Sequence, residues 1–397
     1  MNSYSKKQVI YLVNSPFSSR NFERFGIKNW IDNNWKVKVF DLTNFLFPKF
    51  SRAIDGDNLS INFEGLTIFK NINEALSTLD NLQNKVVFID ILGYSSKEQK
   101  IRSIARYHGL LVKLELGSIP QFNADKNFPK LLNLIKNPIV LVKKLIPFLQ
   151  NRLEKIRAIR YFPDYLIVGG TKSMLGVNHK KTSVIKAHNF DYDFLIQEKQ
   201  IKSNKNKNFI VFLDEDGPYH SDFIRLEITP FITPENYYPI MDLGLDKIAK
   251  LLKLNVKIAA HPRSNYKNKR IKYKHPILEN KTFELIRGAD VVVAHCSTSL
   301  QLAVIMKKPI IFITTDEIQN KLYAKNYAKN IDNFATILGK KVINLSALPK
   351  VNDLKNYLNV DDKKYEKYIE NYIKTKGSPE KLAWNIVIEN IERDLLL

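Results

Sequence analysis

The sequence predicts an α/β protein made of two Rossmann-like domains in series. The chain has 397 residues, which exceeds one ordinary core and favours two domains of similar size. Apolar runs of strand length alternate with longer polar, helix-like segments in both halves. The runs are mostly continuous, as in strands that are buried on both faces of a parallel sheet. A polar, lysine-rich stretch at 199–208, KQIKSNKNKN, separates the halves and is the predicted linker.

The first domain is predicted to span residues 1–198. Its strands are spaced widely enough to leave room for crossover helices between them. The predicted strands are QVIYLV at 8–13, KVKVFDL at 36–42, KVVFIDIL at 85–92, LLVKLEL at 110–116 and DYLIVGG at 164–170.

The second domain is predicted to span residues 209–376, followed by a terminal helix at 377–397. Ser378-Pro379-Glu380 is a good helix start. The predicted strands are FIVFLD at 209–214, VKIAAHP at 256–262, VVVAHC at 291–296, PIIFIT at 309–314 and KVINLS at 341–346. Predicted helices occupy a stretch that ends near 254, then 298–307, 317–338 and 363–375.

Composition limits the compartment and the partners. The single cysteine, Cys296, excludes an internal disulfide and suits a reducing compartment. The apolar run near the N-terminus is too short for a signal peptide, and no window approaches a membrane span. We therefore expect a cytoplasmic protein. The net charge of +22 suits phosphorylated substrates or anionic lipid, whereas no nucleic-acid-binding motif is present and no specific nucleic acid partner is expected.

One segment of the first domain, residues 127–160, is basic and amphipathic. Lys and Arg alternate with Leu, Ile, Val and Phe, and Glu154 is its one acid. Such a stretch can lie on an anionic membrane surface, which would place the protein at the inner face of the plasma membrane. Helices that pack on their own sheet with lysines in solvent explain the pattern equally well.

The strand ends of the second domain carry chemically capable residues. Ligands of a parallel sheet bind beyond the carboxyl ends of its strands. The first strand runs into Asp214, Glu215, Asp216 and Gly217. Clustered acids raise one another's pKa, so one of them could act as a general base on a hydroxyl, while Gly217 would allow a tight turn with positive φ. A solvated acidic turn or a helix N-cap is the alternative interpretation.

The next strand ends in His261, Pro262 and Arg263. The histidine could protonate or hydrogen-bond a leaving phosphate, and the arginine is a natural phosphate partner. A structural histidine that caps the turn is an equally good interpretation.

The third strand runs into a hydroxyl cluster that opens a helix. Ser297, Thr298 and Ser299 could hold a phosphate with the free N–H groups of the helix start. Simple N-capping by Ser or Thr is common and explains the same pattern. Cys296 is expected to be a small buried residue, and His295 belongs to the predicted core.

The order of the three motifs resembles a known family. An acid-acid-glycine motif, a His-Pro motif and a Ser/Thr motif mark the bacterial sialyltransferases and polysialyltransferases of the GT-B fold and their relatives that use other CMP-activated nonulosonic acids or Kdo. The matching residues are Glu215-Asp216-Gly217, His261-Pro262 and Ser297-Thr298-Ser299. The resemblance covers the second half of the chain and the two-domain layout.

The resemblance implies a function and residue roles. Glu215 would deprotonate the acceptor hydroxyl, His261 would assist departure of CMP, and the Ser/Thr cluster would grip the phosphate; Gly217, Pro262 and Arg263 complete the implied donor site. The reaction would be inverting transfer of a CMP-activated acidic sugar to a surface glycan or lipid-linked glycan, with no metal and no cofactor. The two domains would face each other across a cleft, with the final helix crossing back to the first.

Several alternatives stay open. Because three acids occur in a row, Asp214 or Asp216 could be the base. Residues 289–313 also resemble a segment of CDP-glycerol glycerophosphotransferases, so a CDP-glycerol or UDP-sugar transferase is a rival. An epimerase of UDP-sugars and a non-enzymatic membrane-surface or glycan-binding protein are the other candidates.

Overall fold

The protein contains two parallel β-sheets, one in each half of the chain. The structure, a computed structural model, describes residues 7–54, 61–116, 120, 149–150, 152–158, 160–174, 181–198, 208–321, 324–347 and 354–395. Most of the predicted linker, residues 199–207, and most of the basic segment, residues 127–148, lie outside the described residues.

The first sheet has seven strands in the order β3-β2-β1-β4-β5-β6-β7, all paired in parallel. The strands are β1 Gln8–Val13, β2 Lys36–Asp41, β3 Leu66–Ile68, β4 Val86–Asp90, β5 Gly109–Glu115, β6 Tyr165–Val168 and β7 Ser183–Lys186. The helices are α1 Ser19–Arg24, α2 Ile27–Asp32, α3 Thr43–Leu46, α4 Pro48–Ile54, α5 Ile72–Asp80, α6 Ser96–His108, α7 at 152–158 and α8 Phe190–Glu198, with a 3₁₀ turn at Thr171–Met174. Apolar residues on both faces of the sheet form two clusters, as expected for a doubly wound sheet.

The second sheet has six parallel strands in the order β10-β9-β8-β11-β12-β13. The strands are β8 Phe209–Leu213, β9 Asn255–Ala259, β10 Ile277–Leu278, β11 Val291–Ala294, β12 Ile310–Thr314 and β13 Val342–Asn344. The helices are α9 Ser221–Arg225, α10 Pro234–Leu252, α11 Thr282–Gly288, α12 Leu300–Ile305, α13 Asp316–Asn320, α14 Lys325–Ile337, α15 Asp362–Tyr368 and α16 Ala383–Leu395. Shorter turns occur at Gly217–Tyr219, Tyr266–Asn268, Leu345–Ala347 and Lys355–Tyr357, and a π-helix occurs at Ile369–Ile373.

The sequence patterns find the central strands and miss three at or near the edges. β3, β7 and β10 are two to four residues long and only partly buried, so they lack the continuous apolar run that marks the others. The helix predicted at 317–338 is two helices, α13 and α14, and the one predicted at 298–307 is confined to α12. The helix predicted at 363–375 consists of α15 and the π-helix that follows it directly.

The terminal helix begins later than predicted, at Ala383 instead of residue 377. Gly377 has φ +83° and lies in a turn that is closed by a hydrogen bond from the Ser378 N–H to the Thr375 carbonyl. The start of α16 is then capped by another element, because Asp193 of α8 accepts from the Ala383 N–H at 2.9 Å. The sequence signal at Ser378-Pro379 therefore marks a turn, and a tertiary contact sets the helix start.

This helix crosses back onto the first sheet, as predicted. Trp384 is 3% exposed, and it packs with Trp30 and Tyr11 in the core of the first domain. Its indole N–H donates to the Arg24 carbonyl at 2.9 Å. The predicted fold class, two Rossmann-like α/β domains with a returning C-terminal helix, is therefore confirmed. Within the described ranges, we find no helix whose length and hydropathy would let it span a bilayer.

Candidate active site

The three motifs lie side by side at the carboxyl edge of the second sheet. β8 is paired with β9 on one side and with β11 on the other, so the segments that follow these strands are neighbours. The strand order reverses between β8 and β11, and such a switch point is where open α/β sheets bind ligands. The acid cluster and the hydroxyl cluster therefore flank the crevice at which this fold class places its ligands.

Glu215 bridges this crevice. Its Oε1 accepts a hydrogen bond from the Cys296 N–H at 2.6 Å, and its Oε2 accepts one from the Tyr327 hydroxyl of α14 at 3.0 Å. Burial raises the pKa of the Glu215 carboxyl to about 7, although both hydrogen bonds lower it. The side chain is half-buried, in contrast to both neighbouring acids. A carboxyl with these properties is poised to exchange a proton near neutral pH.

Asp214 has a different environment from Glu215. It is 4% exposed, and its two oxygens accept hydrogen bonds from the phenols of Tyr266 and Tyr273, the second at 2.8 Å. Burial raises its pKa, and the two phenols oppose that rise. Because both of its oxygens accept hydrogen bonds from these tyrosines of the segment after β9, Asp214 holds that segment against the end of β8.

Asp216 is also 4% exposed and forms an ion pair with Lys269. Burial raises its pKa to about 6, against the attraction of that lysine. The tight turn does involve positive φ, but Asp216 adopts it, at φ +55°, and not Gly217 as the sequence suggested. A Cβ at Gly217 would lie 2.6 Å from the terminal methyl of Ile232, which would have to move.

His261 is held by its own loop. The Arg263 N–H donates to its Nδ1 at 3.3 Å, and the Ser264 hydroxyl donates to its carbonyl at 2.7 Å. The pKa of the imidazole is lowered to about 3, chiefly by burial and in addition by the neighbouring His220 and Arg263. His261 is therefore neutral at pH 7. Pro262, which lies between His261 and Arg263, is exposed.

The hydroxyl cluster lies directly before α12. The Ser297 Oγ accepts from the Ser299 N–H at 3.3 Å, so Ser297 caps this turn locally. Thr298 is exposed and Ser299 is half-buried at the first position before the helix. Cys296 and His295 are both buried, as expected.

His295 is a core residue. Its Nδ1 lies 2.8 Å from the Ile313 carbonyl and its Nε2 lies 2.9 Å from the Tyr237 hydroxyl. Both ring nitrogens therefore have protein partners, and burial lowers the pKa of the ring to about 4.

Sequence reasoning missed Tyr327, Lys269 and His220, besides the two tyrosines at Asp214. Tyr327 lies within a helix with no local signal, and only the fold brings it to Glu215. Lys269 was one of many lysines, yet its side chain is 9% exposed and paired with Asp216. His220 had a usable signal, because it follows the acid cluster at the same strand end; its ring lies 5.0 Å from that of His261.

Direct contacts thus link the segment after β8 to the segments after β9 and β11, because Tyr266 donates to Asp214 and the Cys296 N–H donates to Glu215. Within the described residues, no group of three or more His, Cys, Asp or Glu side chains is arranged to hold a metal ion.

Comparisons with known proteins show the fold. No protein-family model matches the chain, and no curated protein matches it. The wall teichoic acid polymerase TagF, as its H444N variant, is 11% identical over 99% of this chain and 90% of that chain, with a TM-score of 0.53. The spinosyn forosaminyltransferase SpnP is 10% identical over 99% of this chain and 100% of that chain, with a TM-score of 0.48. The UDP-GlcNAc 2-epimerase of Methanocaldococcus jannaschii, in complex with UDP-GlcNAc and UDP, is 13% identical over 97% of this chain and 99% of that chain, with a TM-score of 0.47.

The similarity to TagF extends over nearly the whole of both chains and, at this identity, shows the fold alone. Together with the two parallel sheets and the returning helix, it confirms the predicted GT-B fold. None of the three proteins is named as a CMP-sugar transferase, so the resemblance to sialyltransferases stays a prediction.

Proposed function

We propose that the protein is an inverting, metal-independent glycosyltransferase that moves a CMP-activated acidic sugar onto a hydroxyl of a cell-surface glycan. The acidic sugar would be a sialic acid, another nonulosonic acid or Kdo. The single observation that carries the transferase proposal is Glu215: a half-buried carboxyl with a pKa raised to about 7, at the switch point of a GT-B domain. The CMP part rests on the resemblance of the three motifs.

All three acids have hydrogen-bond or ion-pair partners, and Glu215 is the proposed base because it alone is partly exposed. The oxygens of Asp214 are held by two phenols, and Asp216 is paired with Lys269. Only the Glu215 carboxyl combines partial exposure with a pKa near neutrality. It takes the proton of the acceptor hydroxyl as the hydroxyl oxygen attacks the anomeric carbon, because a base is most effective when its pKa is near the working pH.

The leaving group is the nucleotide phosphate. As the new glycosidic bond forms, the bond between the anomeric carbon and the phosphate oxygen breaks, and its electron pair stays on that oxygen. His261 is neutral, and its Nδ1 accepts a hydrogen bond from Arg263, so its Nε2 carries the proton. That N–H stabilises the negative charge on the departing phosphate, and the Arg263 guanidinium adds positive charge beside it.

Turnover with defined donors tests the proposal. Purified protein is incubated with CMP-N-acetylneuraminate, CMP-Kdo, UDP-GlcNAc or CDP-glycerol and a panel of glycan acceptors, and nucleotide release is measured. We expect release of CMP that depends on the acceptor. Glu215→Gln should lower kcat at least about a hundredfold while CMP binding is kept, since general-base catalysis contributes about 10²–10⁴.

The matched control is Glu284→Gln, an exposed glutamate of α11, which should leave kcat unchanged. Full activity in Glu215→Gln, or loss only in Asp216→Asn, would assign the base elsewhere. Hydrolysis or epimerisation without an acceptor would contradict a transferase.

A second candidate is a transferase of the same fold that uses a CDP-glycerol or UDP-sugar donor. It is favoured by the similarity to the wall teichoic acid polymerase TagF, which has a TM-score above 0.5. The same donor panel separates the two candidates. A protein that turns over none of the donors would fit the non-enzymatic, glycan-binding or membrane-surface alternative.

The remaining partners are also proposals. A glycan or lipid-linked glycan acceptor would enter from the first domain. Contact with anionic lipid would involve residues 127–160, which fall mostly outside the described residues, and would place a cytoplasmic protein at the inner face of the plasma membrane.

A further inference from the structure

A second histidine lies beside His261. His220 follows the turn Gly217–Tyr219 and directly precedes α9. The two imidazole rings lie with centroids 5.0 Å apart at an angle of 52°. The loops after β8 and β9 therefore bring two imidazoles together, although only His261 belongs to a motif found in the sequence.

Hydrogen bonds fix which nitrogen of each ring carries the proton. The Asp222 N–H donates to His220 Nδ1 at 3.2 Å, and the Arg263 N–H donates to His261 Nδ1 at 3.3 Å. A ring nitrogen that accepts has no proton, so both neutral imidazoles carry theirs on Nε2. Burial lowers the pKa of both rings, which keeps them neutral at pH 7.

Both Nε2–H groups are open to a ligand. Across the part of the chain that the structure describes, no protein atom accepts a hydrogen bond from either Nε2. Neither nitrogen is among the fully buried polar atoms without a partner, so each remains accessible. The pair therefore offers two N–H donors on rings whose centroids lie 5.0 Å apart. Each ring is anchored through its other nitrogen, so little conformational freedom is lost when a ligand binds.

The charge around the pair suits an oxyanion. The guanidinium of Arg263 lies next to it, 3.6 Å from a carboxylate oxygen of Asp222. Arg20 of α1 and Lys269 are also near enough to lower the pKa of His261. Burial has the largest influence on the pKa of His220 and lowers it, and two acids, Asp222 and Asp214, oppose that shift. The Asp222 carboxylate lies 3.7 Å from Nδ1, the ring nitrogen that accepts the Asp222 N–H.

We propose that His220 and His261 bind one phosphate of the nucleotide donor together, through their two Nε2–H groups. His220 then contacts the leaving group directly and shares the negative charge that develops when the bond to the sugar breaks. This inference rests on the proposed function, but it holds for any nucleotide-activated donor, because it concerns the phosphate and not the base or the sugar.

Two substitutions at one position separate phosphate binding from a structural role. His220→Asn keeps an acceptor where Nδ1 lies and removes the Nε2–H donor. His220→Gln places an amide N–H where Nε2 lies and removes the acceptor for the Asp222 N–H. A residue that only caps α9 would tolerate Asn better than Gln, whereas a phosphate ligand would tolerate Gln better than Asn.

The measurement is calorimetric affinity for CMP and cytidine, and in parallel for UDP and uridine, on the wild type and both variants. We expect His220→Asn to weaken CMP binding about tenfold, the effect of one hydrogen bond to a charged group. His220→Gln should stay within about threefold of the wild type, and cytidine binding should not change. The control is His275→Asn, which alters a half-buried histidine beside Asp242 and Asp246 and should leave CMP affinity unchanged.

The inference is overturned if both variants bind CMP like the wild type, if Gln is as weak as Asn, or if cytidine binding falls in parallel with CMP. Should UDP bind and CMP not, the proposed CMP donor is wrong, and the same contrast between the variants on UDP still decides the role of His220. If the wild type binds neither nucleotide, the phosphate site itself is refuted.

Discussion

Tyr327→Phe should shift the pH dependence of turnover without abolishing it. The Tyr327 hydroxyl donates to Glu215 Oε2 at 3.0 Å and lowers the pKa of that carboxyl, which burial holds at about 7. A hydrogen bond to a charged group is worth about 1.5–3 kcal/mol, and 1.36 kcal/mol equals one pKa unit. Glu215 is partly exposed, so water can replace part of the lost hydrogen bond, and we expect the lower end of that range, a rise of about one unit.

The assay is kcat/KM for nucleotide release against pH, which reports the pKa of the free enzyme's base. A base works when deprotonated, so the rate rises through pH about 7 in the wild type and through about pH 8 in the variant. The variant should lose most activity below pH 7 and regain the wild-type rate in alkaline solution. Tyr107→Phe, at a tyrosine that is 86% exposed, is the control. An unchanged midpoint in Tyr327→Phe would refute the assignment of Glu215 as the base.

Three further predictions concern stability. Trp384→Ala should cost about 3–5 kcal/mol of unfolding free energy in urea titrations, because it empties a buried aromatic site where the C-terminal helix packs on the first domain; a loss below about 1 kcal/mol would mean that the helix does not dock there. Arg102→Met should cost about 3–5 kcal/mol because it removes the ion-pair partner of the buried Asp90 carboxylate. Adding Asp90→Asn should restore much of that loss, and a double variant no better than Arg102→Met would contradict this. Burial alone would raise the pKa of Asp90, but Lys113 and Arg102 hold it below its ordinary value. The stabilisation from the Arg102–Asp90 pair is therefore present above the unfolded-state pKa and is lost as the pH falls through the folded-state pKa. The free-energy cost of Arg102→Met should accordingly shrink in acid.

The sequence predicts the central strands well because their burial leaves a continuous apolar record. Phe209–Leu213 and Ile310–Thr314 are buried at every position, and both were found within one residue. The edge strand at Ser183–Lys186 is buried at one position only, so its pattern is indistinguishable from a loop. The start of the terminal helix could not be found either, because its cap, Asp193, is 190 residues away in sequence.

The candidate site shows the same division. The acids and His261 were found because strand ends are local features of the sequence. The partners that make the three acids different are remote: Tyr327 at Glu215, two tyrosines at Asp214 and Lys269 at Asp216. A run of three acids therefore reveals a site, but only tertiary contacts separate a candidate base from two structural anchors.

The most direct test of the account is nucleotide-dependent thermal stabilisation. CMP, CDP, UDP and GDP are added to the wild type and to His261→Ala, and the change in Tm is measured. A ligand at a hundred times its Kd that binds only the folded state adds about 2.7 kcal/mol, which amounts to several degrees or less for a chain of this size. The account predicts that CMP stabilises the wild type most and that His261→Ala loses the effect. Stabilisation by UDP or CDP in place of CMP would contradict the proposed donor, and no stabilisation by any of the four would contradict a nucleotide site at this edge of the sheet.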